Sequence, residues 1–447
     1  MHISLSEHFN YRKLLRFTFP SIIMMIFTSI YGVVDGLFVS NFVGKTPFAA
    51  INLIWPFLMI LGCGGFMIGT GGSALVSKTM GEGNTDKANR YFSLLVLFTV
   101  ILGVAITIPG MFLIEPVAIL LGADEAMLPH CIIYGRIIMA AQTVFMLQGV
   151  FQSFLVTAER PTLGLIVTEG AGVTNMVLDF LFIAVFRWGL VGAAVASAAS
   201  QIVGGLVPLI YFLLPNKSPL RIKPPRLGLH EGARVIGKAT ANGSSELMTN
   251  ISMSVVSMLY NYQLMLFAGE DGIAAYGVIM YVSFVFVAIF IGYAIGSAPV
   301  VGFHYGAGNH DELKSLLRKS LILTSVTGVG MVVLAVALAS PLAGIFVGYD
   351  EELYALTRRG FLLYAPSFLL AGFSIFGSSF FTALGNGAVS AAISFMRTLV
   401  FQIAAVLILP IFLKIDGIWL SVSASELLAL TVTFTFLVAM KKKYRYF

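Results

Sequence analysis

Long apolar runs separated by short polar segments make up most of this chain of 447 residues. About 20 consecutive apolar residues are enough for an α-helix to cross the hydrocarbon core of a membrane. Twelve runs reach this length, at about 14–41, 48–77, 91–114, 128–157, 162–186, 190–214, 234–267, 273–301, 317–339, 355–383, 388–413 and 417–440. The pattern therefore predicts an all-α integral membrane protein with twelve transmembrane helices.

The second half of the sequence repeats the first at a constant shift of 225 residues, which carries Gly81 onto Gly306 and Asn84 onto Asn309. A register held without a gap over such a distance indicates two homologous halves. With six helices in each half, both halves enter the membrane in the same sense, which makes the repeat parallel. We expect two lobes of six helices.

Charge and composition refine this organisation. The chain is 58% hydrophobic and 11% charged, whereas soluble proteins are about 25% charged. A Pro-rich basic segment at 215–232 is the predicted linker between an N-lobe at 1–214 and a C-lobe at 233–447. Placing the N-terminus in the cytoplasm puts most Lys and Arg in cytoplasmic loops, as membrane proteins prefer. We expect a multi-pass protein of the plasma (inner) membrane with both termini in the cytoplasm.

Several classes of partner and activity are excluded by the same observations. The net charge of +6 is explained by loops that face anionic lipid, so the bilayer is the expected partner and nucleic acid is not. The glycine-rich segment Gly81-Glu82-Gly83-Asn84 lacks the spacing and the Lys of a phosphate-binding loop, and it predicts a turn followed by a capped helix. The sequence contains no catalytic triad or metal-ligand spacing, and we expect neither an enzyme nor a cofactor.

Charged residues inside the apolar runs are the candidate functional groups, because a charge at the bilayer centre costs about 2.5–3.5 kcal/mol by insertion scales. These residues are Asp35, Glu169, Asp179, Glu246, Glu426, Arg136 and Arg397. We assign no role to Glu169, and Arg136 is expected to reach the outer headgroups.

Four oxygen-bearing side chains fall in one predicted layer of the N-lobe. Asp35 and Asp179 lie roughly 10 and 13 Å below the outer ends of helices 1 and 5. Ser197 of helix 6 lies at much the same depth, and Asn175 shares a helix face with Asp179. Such oxygens suit a proton or a hard cation, so we predict a coupling site for H⁺ or Na⁺. A structural network of hydrogen bonds is the alternative interpretation.

The remaining candidate residues are assigned to substrate binding, to an ion pair and to a hinge. Glu246 either attracts a cationic substrate or braces helix packing. We also assign Met176 and Gln142 to substrate binding. Arg397 and Glu426 are predicted to form a structural ion pair, and Pro20, which lies on the cytoplasmic side of Asp35 in the same helix, is a candidate hinge.

The motifs together resemble the multidrug and toxic compound extrusion (MATE) transporters along nearly the whole chain. They are GKTPFAAINL, MGEGNTDKANR, TAERP, Asn175-x-x-x-Asp179, GLVGAAVASAASQ, IAAYGV, YGAGNHDEL and TALGNG, with Pro20 and Asp35 in the first helix. The resemblance implies two six-helix lobes around a central cleft that opens alternately to the two sides. It also implies export of bulky, often cationic or amphipathic compounds in exchange for H⁺ or Na⁺.

The resemblance also assigns the coupling residues. In the branch of the family that this sequence is most similar to, an acid of helix 1, an Asn and an Asp of helix 5 and a hydroxyl of helix 6 bind the ion. These roles carry over to Asp35, Asn175, Asp179 and Ser197, with Ser where the family is expected to have Thr. A possible Na⁺ would use the first three.

Two alternative functions agree less well with the sequence. A flippase for a lipid-linked saccharide belongs to the same superfamily, but a lipid pyrophosphate requires several cationic residues in the cleft, and only Arg136 and Arg397 are available. A membrane enzyme or receptor would need a catalytic constellation or a sensory domain, and neither is found. The sequence therefore favours a secondary antiporter, and we expect it to be a monomer.

Overall fold

The computed structural model describes residues 3–224 and 227–447. Within the helices it does not describe the side chains of Val33, Gly36, Leu37, Ser40, Asn41, Lys45 and Glu270. Pro225 and Arg226, which belong to the predicted linker, lie outside the described residues.

The described residues fold almost wholly into helices, since a helix satisfies its own backbone hydrogen bonds where water is absent. In chain order they are α1 (Tyr11–Phe42), α2 (Lys45–Gly81), α3 (Thr85–Leu120), α4 (Leu128–Ala140), α5 (Gln142–Thr157), α6 (Pro161–Asp179), α7 (Gly189–Leu213), α8 (Leu229–Asn242), α9 (Ser244–Gly306), α10 (His310–Val347), α11 (Glu351–Tyr364), α12 (Ser367–Ala383), α13 (Gly387–Phe395), α14 (Phe401–Leu413), α15 (Ile415–Ala439) and α16 (Lys441–Tyr444). π-Helical segments at Phe180–Val185 and Met396–Val400 follow α6 and α13.

Among the described residues, ten helical segments are long and apolar enough to cross a membrane, or up to twelve if each of two bent pairs forms one span. Helix α9 supplies two of the ten, because its backbone breaks at Gly269. The bent pairs are α4 with α5, at 55°, and α11 with α12, at 47°. The two bends correspond under the shift of 225 residues. An all-helical membrane protein with two repeated halves is thus confirmed.

Corresponding turns of the two halves have the same local structure. Gly83 and Gly308 adopt φ angles of 81° and 67°, a left-handed conformation that glycine reaches without steric cost. Asn84 and Asn309 then cap the helices that follow, because each side chain accepts a hydrogen bond from a backbone N–H of the first turn. The predicted turn with a capped helix is confirmed in both halves.

Small residues bring the halves together along α1 and α9. A Cβ atom built on Gly296 would lie 2.9 Å from the Cα atom of Thr18, and one built on Gly292 would lie 2.5 Å from the Cα atom of Ile22. Only glycine allows the two backbones to approach this closely. The contact flanks Pro20, which lies inside the continuous helix α1.

The halves also meet at the end of the molecule that carries residues 3–10, called here the basal end. There a Cβ on Gly81 would collide with the carbonyl of Phe303, and one on Gly306 would collide with the carbonyl of Lys78. Helices α2 and α9 therefore pack backbone against backbone at the basal end.

The N-terminal segment crosses the same junction. Leu5 N donates a hydrogen bond of 2.7 Å to Glu159, which belongs to the first half, and Phe9 N donates one of 2.9 Å to Glu312 of the second half. Two apolar side chains of this segment, Leu5 and Phe9, are fully buried. The basal end is thus closed by direct packing and by a segment that is bonded to both halves.

Candidate functional site

Three of the four predicted coupling residues lie together in the first half. Asp35 on α1 and Asn175 and Asp179 on the last turns of α6 have side chains within hydrogen-bonding reach of one another. Asp179 is fully buried. The i, i+4 spacing on α6 presents Asn175 and Asp179 on one face towards α1, which packs alongside α6.

The fourth residue joins the cluster through a tyrosine. The hydroxyl of Ser197 on α7 lies beside the hydroxyl of Tyr134 on α4. Tyr134 is only 2% exposed and lies close enough to Asp35 and Asp179 to feel both charges. The insertion-cost argument did not select Tyr134, because a tyrosine is uncharged. The sequence signal that could have identified Tyr134 is a hydroxyl inside an apolar run, at the same depth as the two acids.

The two carboxyl groups have no cationic partner among the described residues. Oδ1 of Asp35, both carboxylate oxygens of Asp179 and Nδ2 of Asn175 are buried without a hydrogen bond of standard geometry. An ionised carboxylate can only accept hydrogen bonds. Asp35 and Asp179 can therefore form a hydrogen bond with each other only when one of them carries a proton. Burying such charges unpaired is costly, and the cluster therefore requires a proton or another cation.

The donor set fits a proton or a Na⁺ ion better than a transition metal. Carboxylate and amide oxygens are hard ligands, which favour hard cations. In the part of the chain that the structure describes, no group of three or more His, Cys, Asp and Glu side chains could hold a metal ion.

A change of helix type follows the acids directly. The chain leaves the α-helix at Asp179 and continues as the π-helical segment Phe180–Val185. π-Helical turns are rare and occur mostly at functional sites. The equivalent helix of the second half also contains such a segment, Met396–Val400, which includes Arg397.

A separate cavity of about 870 Å³ lies between the two halves. Met25 and Ser29 of α1 and Asn52 of α2 line it from the first half, and Tyr276 and Met280 of α9 line it from the second. This volume is within the range of small-molecule sites, which is about 300–1,000 Å³. Asp35 and Asp179 are not among the lining residues, so the acid cluster and the cavity are distinct sites that share helix α1.

Among the described residues, three charged ones line the cavity. Glu246 lies in the first turn of α9, and no described charged group pairs with its carboxylate. Nε of Arg397 lies 2.9 Å from both carboxylate oxygens of Glu426, and Nη2 lies 2.8 Å from one of them. The predicted ion pair of Arg397 and Glu426 is confirmed, and it faces the cavity rather than lying apart from it.

The structure does not bring the other two predicted substrate residues to this cavity. Gln142 is buried at the bend between α4 and α5, where its Nε2 atom donates a hydrogen bond of 3.2 Å to the carbonyl of Leu58. Gln142 thus links the bend to helix α2, because this hydrogen bond satisfies its buried amide. Met176 is half-buried on α6, outside the cavity lining.

Comparison with known proteins agrees with this architecture. The model of the MatE family matches residues 20–181 and 247–408, one segment in each half. The multidrug export protein MepA of Staphylococcus saprophyticus is 23% identical over 92% of this chain and 88% of its own length. The probable multidrug resistance protein YoeA of Bacillus subtilis is 24% identical over 97% of this chain and 94% of its own.

A solved structure has the same fold. A multidrug resistance MATE family transporter of the MOP superfamily, in an outward-facing conformation, superposes with a TM-score of 0.92. The superposition covers 98% of each chain at 21% sequence identity. Since the family model matches both halves and covers most of the sequence, this chain belongs to the MatE family of membrane transporters.

Proposed function

We propose that this protein is a secondary antiporter that exports bulky, cationic or amphipathic organic compounds in exchange for H⁺ or Na⁺. Transporters of this family are ion-coupled, and the relatives MepA and YoeA are named for multidrug export and resistance. The observation that carries the proposal is the pair of buried acids, Asp35 and Asp179, without a cationic partner among the described residues.

The coupling ion binds in the acid cluster. Asp35 and Asp179 supply the charge, Asn175 supplies its amide oxygen, and the hydroxyls of Ser197 and Tyr134 complete the polar wall. An arriving proton or Na⁺ removes the repulsion between the two carboxylates, and its departure restores that repulsion. The ion therefore changes the preferred separation of α1 and α6.

Helix α1 transmits this change to the cavity. It carries Asp35 at one level and the cavity-lining residues Met25 and Ser29 below it. Pro20 lacks a backbone N–H, so α1 lacks one of its backbone hydrogen bonds at this position and bends there more easily. Gly292 and Gly296 of α9 pack against the residues that flank Pro20. Bending at Pro20 alters the cavity wall and the contact between the lobes together.

The substrate occupies the central cavity, where the unpaired Glu246 attracts cationic groups and the apolar wall accepts the substrate body. The N-lobe (1–214) and the C-lobe (233–447) rock about this cavity, joined by the linker at 215–232. With the basal end in the cytoplasm of a plasma-membrane protein, the closed basal end corresponds to an outward-facing state. We further propose that the protein acts as a monomer.

The flippase alternative is not favoured by the cavity. Among the described residues that line it, Arg397 is the only basic one, and Glu426 already pairs with it. A lipid pyrophosphate would need several basic residues at this place.

Reconstituted proteoliposomes test the proposal. Rhodamine 123, an aromatic organic cation, should be transported when a H⁺ or a Na⁺ gradient is imposed and should stop when that gradient is collapsed. A transport rate that does not depend on either the H⁺ or the Na⁺ gradient would contradict the antiport mechanism.

A further inference from the structure

We propose that residues 3–10 form a releasable strap across the basal end, held by Glu159 of the first half and Glu312 of the second. Opening of the basal end then requires the strap to leave one of these two anchors. The inference rests on the proposed rocking of the two lobes and adds two positioning residues to it. It does not depend on which compound or which ion is transported.

The first anchor is the carboxylate of Glu159, in the turn between α5 and α6. Its Oε1 atom accepts a hydrogen bond of 2.8 Å from Ser4 Oγ and one of 2.7 Å from Leu5 N. Hydrogen bonds to an ionised group are stronger than those between neutral groups. Glu159 therefore ties the beginning of the strap to the first half.

The backbone of this turn does not itself favour a glutamate. Glu159 adopts a left-handed φ of 58°, whereas Gly385 takes the same place, at a φ of 76°, in the turn between α12 and α13. The two turns are equivalent, because Glu159 N donates to the carbonyl of Val156 as Gly385 N donates to the carbonyl of Thr382. Glycine reaches this conformation without steric cost and other residues are strained. The carboxylate that binds the strap accounts for a strained glutamate at this position.

The second anchor is the carboxylate of Glu312, in the first turn of α10. Its Oε1 atom accepts a hydrogen bond of 2.9 Å from Phe9 N, and its Oε2 atom lies 2.6 Å from Nδ1 of His8. The start of this helix does not require an acid, because Asn309 already caps α10 and Lys87 takes the equivalent position in the first half. The buried carboxylate of Glu312 thus serves the strap and not the helix cap.

An aromatic side chain of the strap touches both halves. The ring of Phe9 packs edge-on against Phe17 of α1, at a centroid distance of 5.8 Å, and against His304 of α9, at 6.4 Å. Because these two partners belong to different halves, separation of the lobes at the basal end must break at least one of the two contacts.

Two anchors on one strap have a distinctive energetic signature. Because α1 can bend at Pro20, the strap can stay with either half when the lobes separate, and only the weaker anchor has to be broken. Removing either anchor therefore removes the same cost of opening, and removing both removes no more. Two independent braces would instead add their free energies.

Distances between spin labels at the basal end test the inference. The labels are attached to Arg90→Cys on α3 and Lys314→Cys on α10, two exposed positions in different halves. The full chain also carries Cys63→Ala and Cys131→Ala, so that only the introduced thiols are labelled. Double electron–electron resonance in lipid nanodiscs, at one pH and without a gradient, gives the ratio of long to short distances.

The strap predicts that its two anchors are not additive. We expect Glu159→Gly, which suits the left-handed turn, and Glu312→Ala each to raise this ratio about tenfold, as expected for the loss of charge-assisted hydrogen bonds. The double variant should also raise it about tenfold. Unchanged ratios in both single variants, or a double variant that multiplies the effects to about a hundredfold, would overturn the strap.

A neighbouring acid provides the control. Asp311→Asn changes an exposed acid next to Glu312 and should leave the ratio unchanged, so a shift as large as that of Glu312→Ala would also overturn the strap.

The transport assay separates failure of the strap from failure of the proposed function. Gradient-driven transport of rhodamine 123 together with unchanged distance ratios would overturn the strap alone. If the wild-type protein moves no dye under either gradient, the export function fails, and the distance ratios still decide whether the strap holds the basal end.

Discussion

The two halves of the protein both bury charged side chains but balance their charge in opposite ways. In the first half, Asp35 and Asp179 lie together with no cationic partner among the described residues. In the second half, Glu426 is bound by Arg397, which lies on the helix equivalent to that of Asp179. The shift of 225 residues carries Asp179 onto Ala404, so the repeat kept the backbone and changed the charges.

The difference separates a permanent ion pair from an exchangeable one. Arg397 belongs to the chain itself, so it cannot leave Glu426 as a dissolved ion can. In the proposed mechanism, the ion that compensates Asp35 and Asp179 comes from solution and leaves again. Only such a cluster can couple a transmembrane ion gradient to a change of conformation, because binding must differ between states.

Neutralising the acids of the first half should have the largest effect on transport. We expect Asp35→Asn and Asp179→Asn each to reduce gradient-driven transport of rhodamine 123 by roughly a hundredfold or more, because a buried charge contact is worth several kcal/mol. The measurement is uptake into proteoliposomes. The control Asp311→Asn changes an exposed acid at the start of α10 and should transport normally. Wild-type rates in both test variants would show that these acids do not couple the ion.

The acid of the second half should instead matter for stability. We expect Glu426→Gln to lower the free energy of unfolding by about 3–5 kcal/mol, because it leaves Arg397 buried without a partner. Thermal unfolding in detergent measures this loss. Asp179→Asn should be neutral or stabilising in the same assay, since it removes an uncompensated charge. If both variants lose stability equally, the contrast between the halves is incorrect.

The unpaired acid of the cavity should affect selectivity. We expect Glu246→Gln to weaken binding of a cationic substrate about tenfold, because one charge–charge contact is lost at partial burial. Affinity for a neutral analogue should not change, and Glu352→Gln, an exposed acid of α11, serves as the control. Equal weakening for the cationic and the neutral ligand would assign Glu246 to helix packing.

The hydroxyls beside the acids should have the smallest effect. We expect Tyr134→Phe and Ser197→Ala to slow gradient-driven transport by roughly twofold to fivefold each, since each removes one hydrogen bond worth about 1 kcal/mol. Ser197→Thr keeps the hydroxyl and should therefore transport at the wild-type rate. A loss as large as that of Asp179→Asn would mean that the hydroxyls carry the ion themselves.

Helical spacing and insertion cost were sufficient to predict the core of the acid cluster. Asn175 and Asp179 share a face because they are four residues apart, and Asp35 has a comparable depth in its own helix. Tyr134 was missed, because its position beside the acids depends on how α4 packs and not on its own cost of burial. Gln142 was assigned to the substrate, but the bend between α4 and α5 turns it to the carbonyl of Leu58.

The amino-acid sequence by itself determined the membrane spans, the two repeated halves and the capped turns, because apolar length, register and turn chemistry act over a few residues. The tertiary structure decided which buried charges have partners, that Arg397 and Glu426 face the cavity, and that the basal end is closed. These features depend on contacts between helices far apart in the chain, and side-chain packing across those contacts is not encoded in local spacing.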